Sequence, residues 1–377
     1  VQGFTHNYYK YPARFSPEFA RAAISVFSRP GDLVVDPFVG GGTCLVESRV
    51  LGRLGIGSDV SSLATFVTNA KTQRLSTADI EYLTNWLLRL PEKLGLRQSS
   101  TGGVWIEIGY SRNLQCEATW RIRKAIEIAL NEISRIGIRR RQNFARCVLL
   151  RTAQWALDGR KQIPSIAEFR DRIIVTADLM AAGAREYALA VAKADKLAPS
   201  AGRKRTICVN TRGEGLAHYL LKTKREPPKL IVSSPPYPGV HVLYHRWQVR
   251  GGKETPLPFW IADKVDGAGE AYYVMHALRE NLSRYFDSLN AVYSALRETV
   301  SKHSMLITLV AFSDPIKQLP KYLDLMHHAG FMEYLLSDFV DSLDGRLWRK
   351  VPNRKWHATK KGALASGKEV VLIHKPR

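Results

Sequence analysis

Residues 230–239, LIVSSPPYPG, are an apolar run that stops abruptly at two prolines. Ile231 and Val232 read as a buried parallel strand. Pro235 and Pro236 end it, because proline offers no N–H to a sheet and locks φ. Ser233, Ser234, Pro235, Pro236 and Tyr237 then form a stiff loop at a strand's carboxyl end, with carbonyls and side chains aimed in advance. In open α/β sheets ligands bind outside that end. A proline-terminated strand with an edge tyrosine gives the same local sequence, so the decision falls to a second motif.

That motif is LVVDPFVGGGTCLVES at residues 33–48. It reads as a buried strand over 33–36, a glycine loop at Gly40, Gly41 and Gly42, and a helix opening at Thr43. Glycines let backbone approach a ligand closely and adopt φ > 0, and the helix start presents unpaired N–H groups. A further strand over 55–59 ends on Asp59, 17 positions beyond Gly42. That is close to the roughly 20-residue offset at which an acid meets ribose hydroxyls in nucleotide-binding βαβ units. The dinucleotide fingerprint G-x-G-x-x-G fails at Leu45, which argues against NAD or FAD and leaves an adenosine-bearing cofactor. A tight turn followed by a surface acid is the plain structural alternative.

Around these motifs the chain alternates strands and helices. Ser16-Pro17 opens a helix that ends before Arg29-Pro30-Gly31. Strands are expected over 206–210, 229–233 and 304–312, helices over 214–221, 272–300 and 315–329, and a closing antiparallel ribbon from 333–340 and 369–374. Residues 238–269 and 346–361 read as loops. Between 75 and 197 the pattern is helical instead: 77–94, 117–136, 141–157 and 165–197. There Ile122, Ala125, Ile126, Ala129 and Leu130 recur at the spacing of one helix face. The expected organisation is an α/β domain in two halves, 1–74 and 205–377, with a helical insertion at 75–204. Its sheet would be doubly wound and mostly parallel, with the strands ending DPF and SSPPY side by side where strand order reverses.

The 377 residues carry 56 Lys+Arg against 34 Asp+Glu, a net charge of +22, which points to a polyanionic partner and to nucleic acid first. Two stretches concentrate it. Residues 135–161 hold eight basic residues, Arg139, Arg140 and Arg141 among them, against one acid, Asp158. Residues 346–361 hold Arg349, Lys350, Arg354 and Lys355 among seven basic residues and no acid, interleaved with Trp348 and Trp356. Basic and aromatic residues together suit phosphates and stacked bases, although solvated surface has the same composition. No apolar run reaches a membrane span and no signal peptide is read, so no membrane partner and a cytoplasmic setting are expected. The four cysteines show no C-x-x-C pairing, which argues against disulfides or zinc. The chain starts at Val1, which leaves room for a preceding segment.

D-P-F-x-G-x-G-T at Asp36–Thr43, the acid Asp59, S-P-P-Y at Ser234–Tyr237 and Y-P-A-R-F at Tyr11–Phe15 together resemble the S-adenosylmethionine-dependent DNA amino-methyltransferases. The resemblance covers the α/β portions and implies a seven-stranded methyltransferase sheet with S-adenosyl-L-methionine as cofactor. It implies that Asp36, Phe38, Gly40, Gly42 and Thr43 line the methionine end and that Asp59 holds the ribose. Tyr11, Arg14 and Phe15 would flank the carboxylate side, and Asn210 stands where the adenine amine would be met. Ser234 and the Pro235 carbonyl would accept the N–H groups of the target amine, Pro236 would stiffen the loop, and Tyr237 would stack on a base flipped from the helix. Ser rather than Asp or Asn before P-P-Y leans toward cytosine N4 over adenine N6. None of the four cysteines follows a proline, as a C5-cytosine nucleophile typically does. The partner implied is double-stranded DNA, and a restriction–modification setting would add a cognate nuclease. An RNA base N-methyltransferase and a non-catalytic nucleic-acid-binding module are the alternatives. The oligomeric state is left open.

Overall fold

The computed structural model describes residues 3–11, 16–97, 103–198, 206–238, 246–268, 282–336, 344–350 and 368–377. The chain forms two compact units. The first is Val1–Pro12, Ser61–Lys193 and Leu243–Gly269; the second is Ala13–Val60, Ala194–Val242 and Glu270–Arg377.

The strands in chain order are β1 (Leu33–Asp36), β2 (Leu54–Asp59), β3 (Ile207–Asn210), β4 (Leu230–Ser233), β5 (Trp247–Val249), β6 (Lys253–Thr255), β7 (Met305–Val310), β8 (Phe331–Glu333), β9 (Leu347–Lys350) and β10 (Lys368–Pro376). The second unit is built on an eight-stranded sheet of order β3-β2-β1-β4-β7-β10-β8, with β9 also paired to β10. Strands β3, β2, β1, β4 and β7 run parallel, and β10 is antiparallel to β7, β8 and β9. The mostly parallel, doubly wound α/β sheet read from the sequence is therefore present. Seven strands lie on one path and β9 is an eighth.

Both faces of this sheet are covered, and residue alternation shows how. Val35, Ile231, Leu306, Val310, Val370 and Leu372 face one core, shared with helices Gly213–Lys222, Leu282–Arg297 and Pro315–His328. Val34, Leu230, Val232, Ile307, Leu309, Val371 and Ile373 face the other, shared with helices Pro17–Phe27 and Thr43–Val50. Successive side chains of a strand point to opposite faces, so a near-continuous apolar strand needs a layer on each. Ser16 caps the first of these helices by accepting the Phe19 N–H at 3.2 Å, with Pro17 at the first helical position.

The first unit is mainly helical: Ser62–Thr72, Thr77–Lys93, Trp120–Ser134, Arg139–Leu157 and most of Ile166–Leu197. The stripe Ile122, Ala125, Ile126, Ala129, Leu130 is buried, as its period requires. Ser76 and Asp79 form a capping box on the second of these helices.

Two stretches read as loops contain regular structure. Residues 246–268 form the β5–β6 hairpin, the helix Leu257–Ala262 and a single 3₁₀ turn. The hairpin is tied into the first unit: Trp247 Nε1 donates to the Tyr9 hydroxyl at 3.1 Å, and the Gln248 N–H donates to Asp158 Oδ1 at 3.1 Å. Trp247, Phe259 and Trp260 are buried, so apolar burial overrode the glycine and proline content. The basic stretch 346–361 opens with β9, because Arg349 stands opposite Glu369 in the β9–β10 register. The helix read over 272–300 is described as Leu282–Arg297; residues 269–281 lie outside the described residues.

Candidate functional site

The glycine loop and the Ser-Pro-Pro-Tyr loop both belong to the second unit. Strands β1 and β4 are neighbours, with Val34 opposite Leu230 and Val35 opposite Ile231. Their chain order reverses there: β2 and β3 extend to one side of β1, β4 and β7 to the other. The DPF and SSPPY segments therefore leave the same sheet edge side by side, at a topological switch point.

The β1 segment is shaped by backbone bonds. The Val39 N–H donates to Ser58 O at 3.0 Å, and the Gly40 N–H donates to Asp59 Oδ2 at 2.8 Å, which ties the glycine loop to the end of β2. Gly40 and Gly42 have φ of 50° and 80°, a region that L side chains adopt only under strain. Gly42 then caps the helix Thr43–Val50, on which Thr43 is buried. The loop can lie this close to β2 because position 57 is glycine. A Cβ there would stand 2.3 Å from Val39 Cγ2 and 2.6 Å from the Asp36 carbonyl oxygen.

Asp36 is the electrostatic centre. Its side chain is fully buried; Oδ1 accepts from the Ser233 hydroxyl and, at 3.0 Å, from the Phe38 N–H. Oδ2 is buried and has no hydrogen-bond partner among the described residues. Burial pushes the carboxyl up to about 7, the Ser233 and Phe38 bonds pull back, and the charge of Asp59 pushes further upward. A buried carboxylate oxygen left without a donor is costly. An ammonium group would satisfy it, so the site fits the methionine end of S-adenosylmethionine.

On the β4 side, Pro235 is buried and Ser234 half-buried. The Tyr285 hydroxyl donates to the Pro236 carbonyl at 2.7 Å, which fixes the loop to the helix Leu282–Arg297. Tyr237 is buried, 8% exposed, within the core that this helix covers. Its hydroxyl donates to Glu369 Oε1 at 2.7 Å and accepts from Ser234 Oγ at 3.2 Å. The ring is thus held inside the fold by its polar end.

Other sequence-derived residues are placed as follows. Asn210 Nδ2 donates to the carbonyls of Asp59 and Val60 at 3.0 and 2.9 Å, so its amide secures the end of β2. Phe38 packs against the core that contains Tyr237. Tyr11 is buried in the first unit, edge-on to Tyr9. Arg14, Phe15, Arg354 and Lys355 lie outside the described residues, as does the side chain of Lys350. Arg140 and Arg141 both bind Asp79, at 2.6 and 2.7 Å, while Arg139 is exposed. Arg349 pairs with Glu369 at 2.8 Å and lies 5.4 Å over the Phe19 ring.

Residues 2–65 match the family model described as DNA methylase, covering N6 and N4 amino-methyltransferases. The segment that carries the glycine loop and Asp59 is similar to that family. The type II methyltransferase M.MjaII of Methanocaldococcus jannaschii is 31% identical over 88 residues, 23% of this chain and 16% of that protein. The type II methyltransferase M.MvaI of Kocuria varians is 35% identical over 88 residues, 21% of this chain and 19% of that protein. A tRNA (guanine(10)-N2)-dimethyltransferase of Methanothermobacter thermautotrophicus is 31% identical over 87 residues, 22% of this chain and 26% of that protein. This chain spans less than a third of the length of each. Among solved structures, an rRNA methylase from Streptococcus thermophilus superposes with a TM-score of 0.34 at 8% identity, covering 97% of this chain and 99% of that one. The methyl donor that the DNA methylase match implies is S-adenosylmethionine.

Three residues of this site escaped the sequence reading. Ser233 lies in the quoted run but carried no distinct signal from Ser234. Gly57 looked like an ordinary strand residue, and the loop it accommodates is set by tertiary approach. Glu369, far along the chain, becomes relevant only through β9–β10 pairing. An acid facing a long acid-free basic stretch was the available hint.

Proposed function

We propose that the chain transfers a methyl group from S-adenosylmethionine to an exocyclic amine of a flipped base in duplex DNA, with cytosine N4 favoured. One observation carries the reading: a glycine loop with an unsatisfied buried aspartate and a rigid Ser-Pro-Pro-Tyr loop leave adjacent strands of one sheet. The DNA methylase match over the first of these loops supports it. When bound, the cofactor would supply an electrophilic methyl on a sulfonium. Asp36 Oδ2 would take its ammonium, and Asp59, already tied to Gly40, lies at the end of β2 for the ribose.

The base amine is a poor nucleophile because its lone pair is delocalised into the ring. Ser234 Oγ and the Pro235 carbonyl would accept its N–H groups and leave the lone pair directed away from the loop. Methylation makes that nitrogen cationic, and it returns to neutrality by losing one proton to water past Ser234. Such a reaction needs positioning more than a tuned base. The buried ring of Tyr237 would form the wall of the base pocket and stack only if the base reaches its exposed edge. Ser in the first position of the motif supports N4 over N6. The helical sequence 75–204 would supply target recognition, and the exposed Arg139 a phosphate contact.

The tRNA methyltransferase relative gives a second reading, an RNA base amine. Incubation with methyl-labelled cofactor and either unmethylated genomic DNA or bulk tRNA, followed by nucleoside analysis, separates them. Label in N4-methylcytosine is the expected result. Label in N6-methyladenine corrects the base, and label in tRNA alone replaces the substrate. DNA retention without cofactor binding would mean a non-catalytic module.

A further inference from the structure

The hydrogen bonds behind Ser234 run in one direction. Arg349 stands opposite Glu369 across β9 and β10, and its Nε donates to Glu369 Oε2 at 2.8 Å. Glu369 is 4% exposed, and its other oxygen accepts the Tyr237 hydroxyl at 2.7 Å. The Tyr237 oxygen in turn accepts from Ser234 Oγ at 3.2 Å.

A guanidinium has only donors, so it sets the polarity of everything beyond it. Glu369 accepts at both oxygens, the Tyr237 proton is spent on Glu369, and the Ser234 proton is spent on Tyr237. Ser234 Oγ then meets any third partner with lone pairs alone. Burial of the middle members strengthens this order, because water does not compete for the bonds.

From this we infer that Glu369, acting through the Tyr237 hydroxyl, is a positioning residue that locks the Ser234 hydroxyl as an acceptor facing the target amine. The inference rests on the methyl-transfer reading above and deepens it. A free serine hydroxyl rotates; with its proton aimed at the amine it would occupy the lone pair that has to attack. The four-residue chain removes that orientation. Its far end comes from β9, the strand at the start of the basic stretch 346–361, so part of that charge serves the site rather than a solvated surface.

The test uses the full chain, labelled S-adenosylmethionine and unmethylated genomic DNA. Tyr237→Phe keeps the ring and removes the hydroxyl. We expect kcat to fall by roughly tenfold, the effect of one lost orienting hydrogen bond, with cofactor affinity and KM for cofactor unchanged. Ser234→Ala should fall further, and the Tyr237→Phe/Ser234→Ala pair should be no slower than Ser234→Ala alone. Glu369→Gln keeps an amide oxygen on Arg349, turns its N–H toward the Tyr237 hydroxyl and so reverses that bond, and should lose activity comparably, without adding to Tyr237→Phe.

Multiplying effects in the double variant, or full kcat in Tyr237→Phe, would overturn the inference while wild-type transfer leaves the functional reading intact. Wild-type protein that methylates nothing would overturn both. A Tyr237→Phe chain that melts early or loses cofactor affinity would give the bond a structural role, and that too counts against the proposal.

Discussion

Asp36 and Asp79 are both buried aspartates, one in each compact unit, and they titrate in opposite directions. Burial pushes Asp36, one of whose oxygens has no donor among the described residues, up to about 7. Burial would raise Asp79 too, but the guanidinium groups of Arg140 and Arg141 and the Ser76 cap outweigh it and hold the carboxyl well below the usual range. Burial alone therefore does not mark a site. The difference is unmet valence: Asp79 has spent its oxygens on the helices that bear it, and Asp36 has kept one. The same comparison reassigns two arginines. Arg140 and Arg141 lie in the basic stretch that suggested phosphate contact, yet much of their charge is committed to Asp79.

The largest expected effect is on the committed aspartate. Asp79→Ala leaves two arginines unpaired and the helix Thr77–Lys93 uncapped. Its carboxylate is covered by its own half-exposed arginines, so the cost should be about 2–3 kcal/mol, below that of a deeply buried pair. Thermal melting would show it, with cofactor affinity below the transition little changed; an unaltered melting temperature would break the contrast.

Gly57→Val should come next. Its Cβ has no room against Val39 and the Asp36 carbonyl, and overpacking costs roughly 1–3 kcal/mol. Unlike Asp79→Ala, it should also abolish cofactor binding, because the glycine loop must move. Retained affinity by titration calorimetry would place the pocket elsewhere.

Asp36→Asn sharpens the comparison from the other side. Removing one charge-assisted contact should weaken cofactor binding by tenfold to about a hundredfold, on the order of 1.5–3 kcal/mol. Stability should not suffer. The folded carboxyl titrates near 7, above its ordinary 3.8, so ionised Asp36 costs folding free energy increasingly as pH rises from the lower value through the higher. A melting temperature at pH 8 that drops on this substitution would contradict that sign.

The same shift gives wild-type protein a pH signature. Only ionised Asp36 can hold an ammonium, so cofactor affinity should rise by roughly tenfold from pH 6 to pH 8. Asp36→Asn should flatten the profile; a slope surviving in that variant would locate the titration in another group.

The smallest effect belongs to the exposed arginine. Arg139→Ala should weaken DNA binding a few-fold and lower the slope of log affinity against log salt by about one. Arg140→Ala should change that slope less and stability more. A reversed order would return Arg140 to the phosphate-contacting role.

Much of this chemistry was legible before any coordinates. Alternating strands and helices, the DPFVGGGT and SSPPY runs and the 3.6-residue period of 120–134 carry local instructions, because proline, glycine and apolar periodicity act within a few residues of themselves. Hence the strands around the switch point fell within one residue of their expected positions. Tertiary structure alone decided which polar groups were spent. That Arg349 meets Glu369, that Glu369 holds Tyr237, that Asp79 draws in two arginines and that Asp36 keeps an oxygen unpaired among the described residues all depend on contacts between distant segments. A hydrogen bond or ion pair is a property of two partners and their burial, and one strand of sequence names only the first.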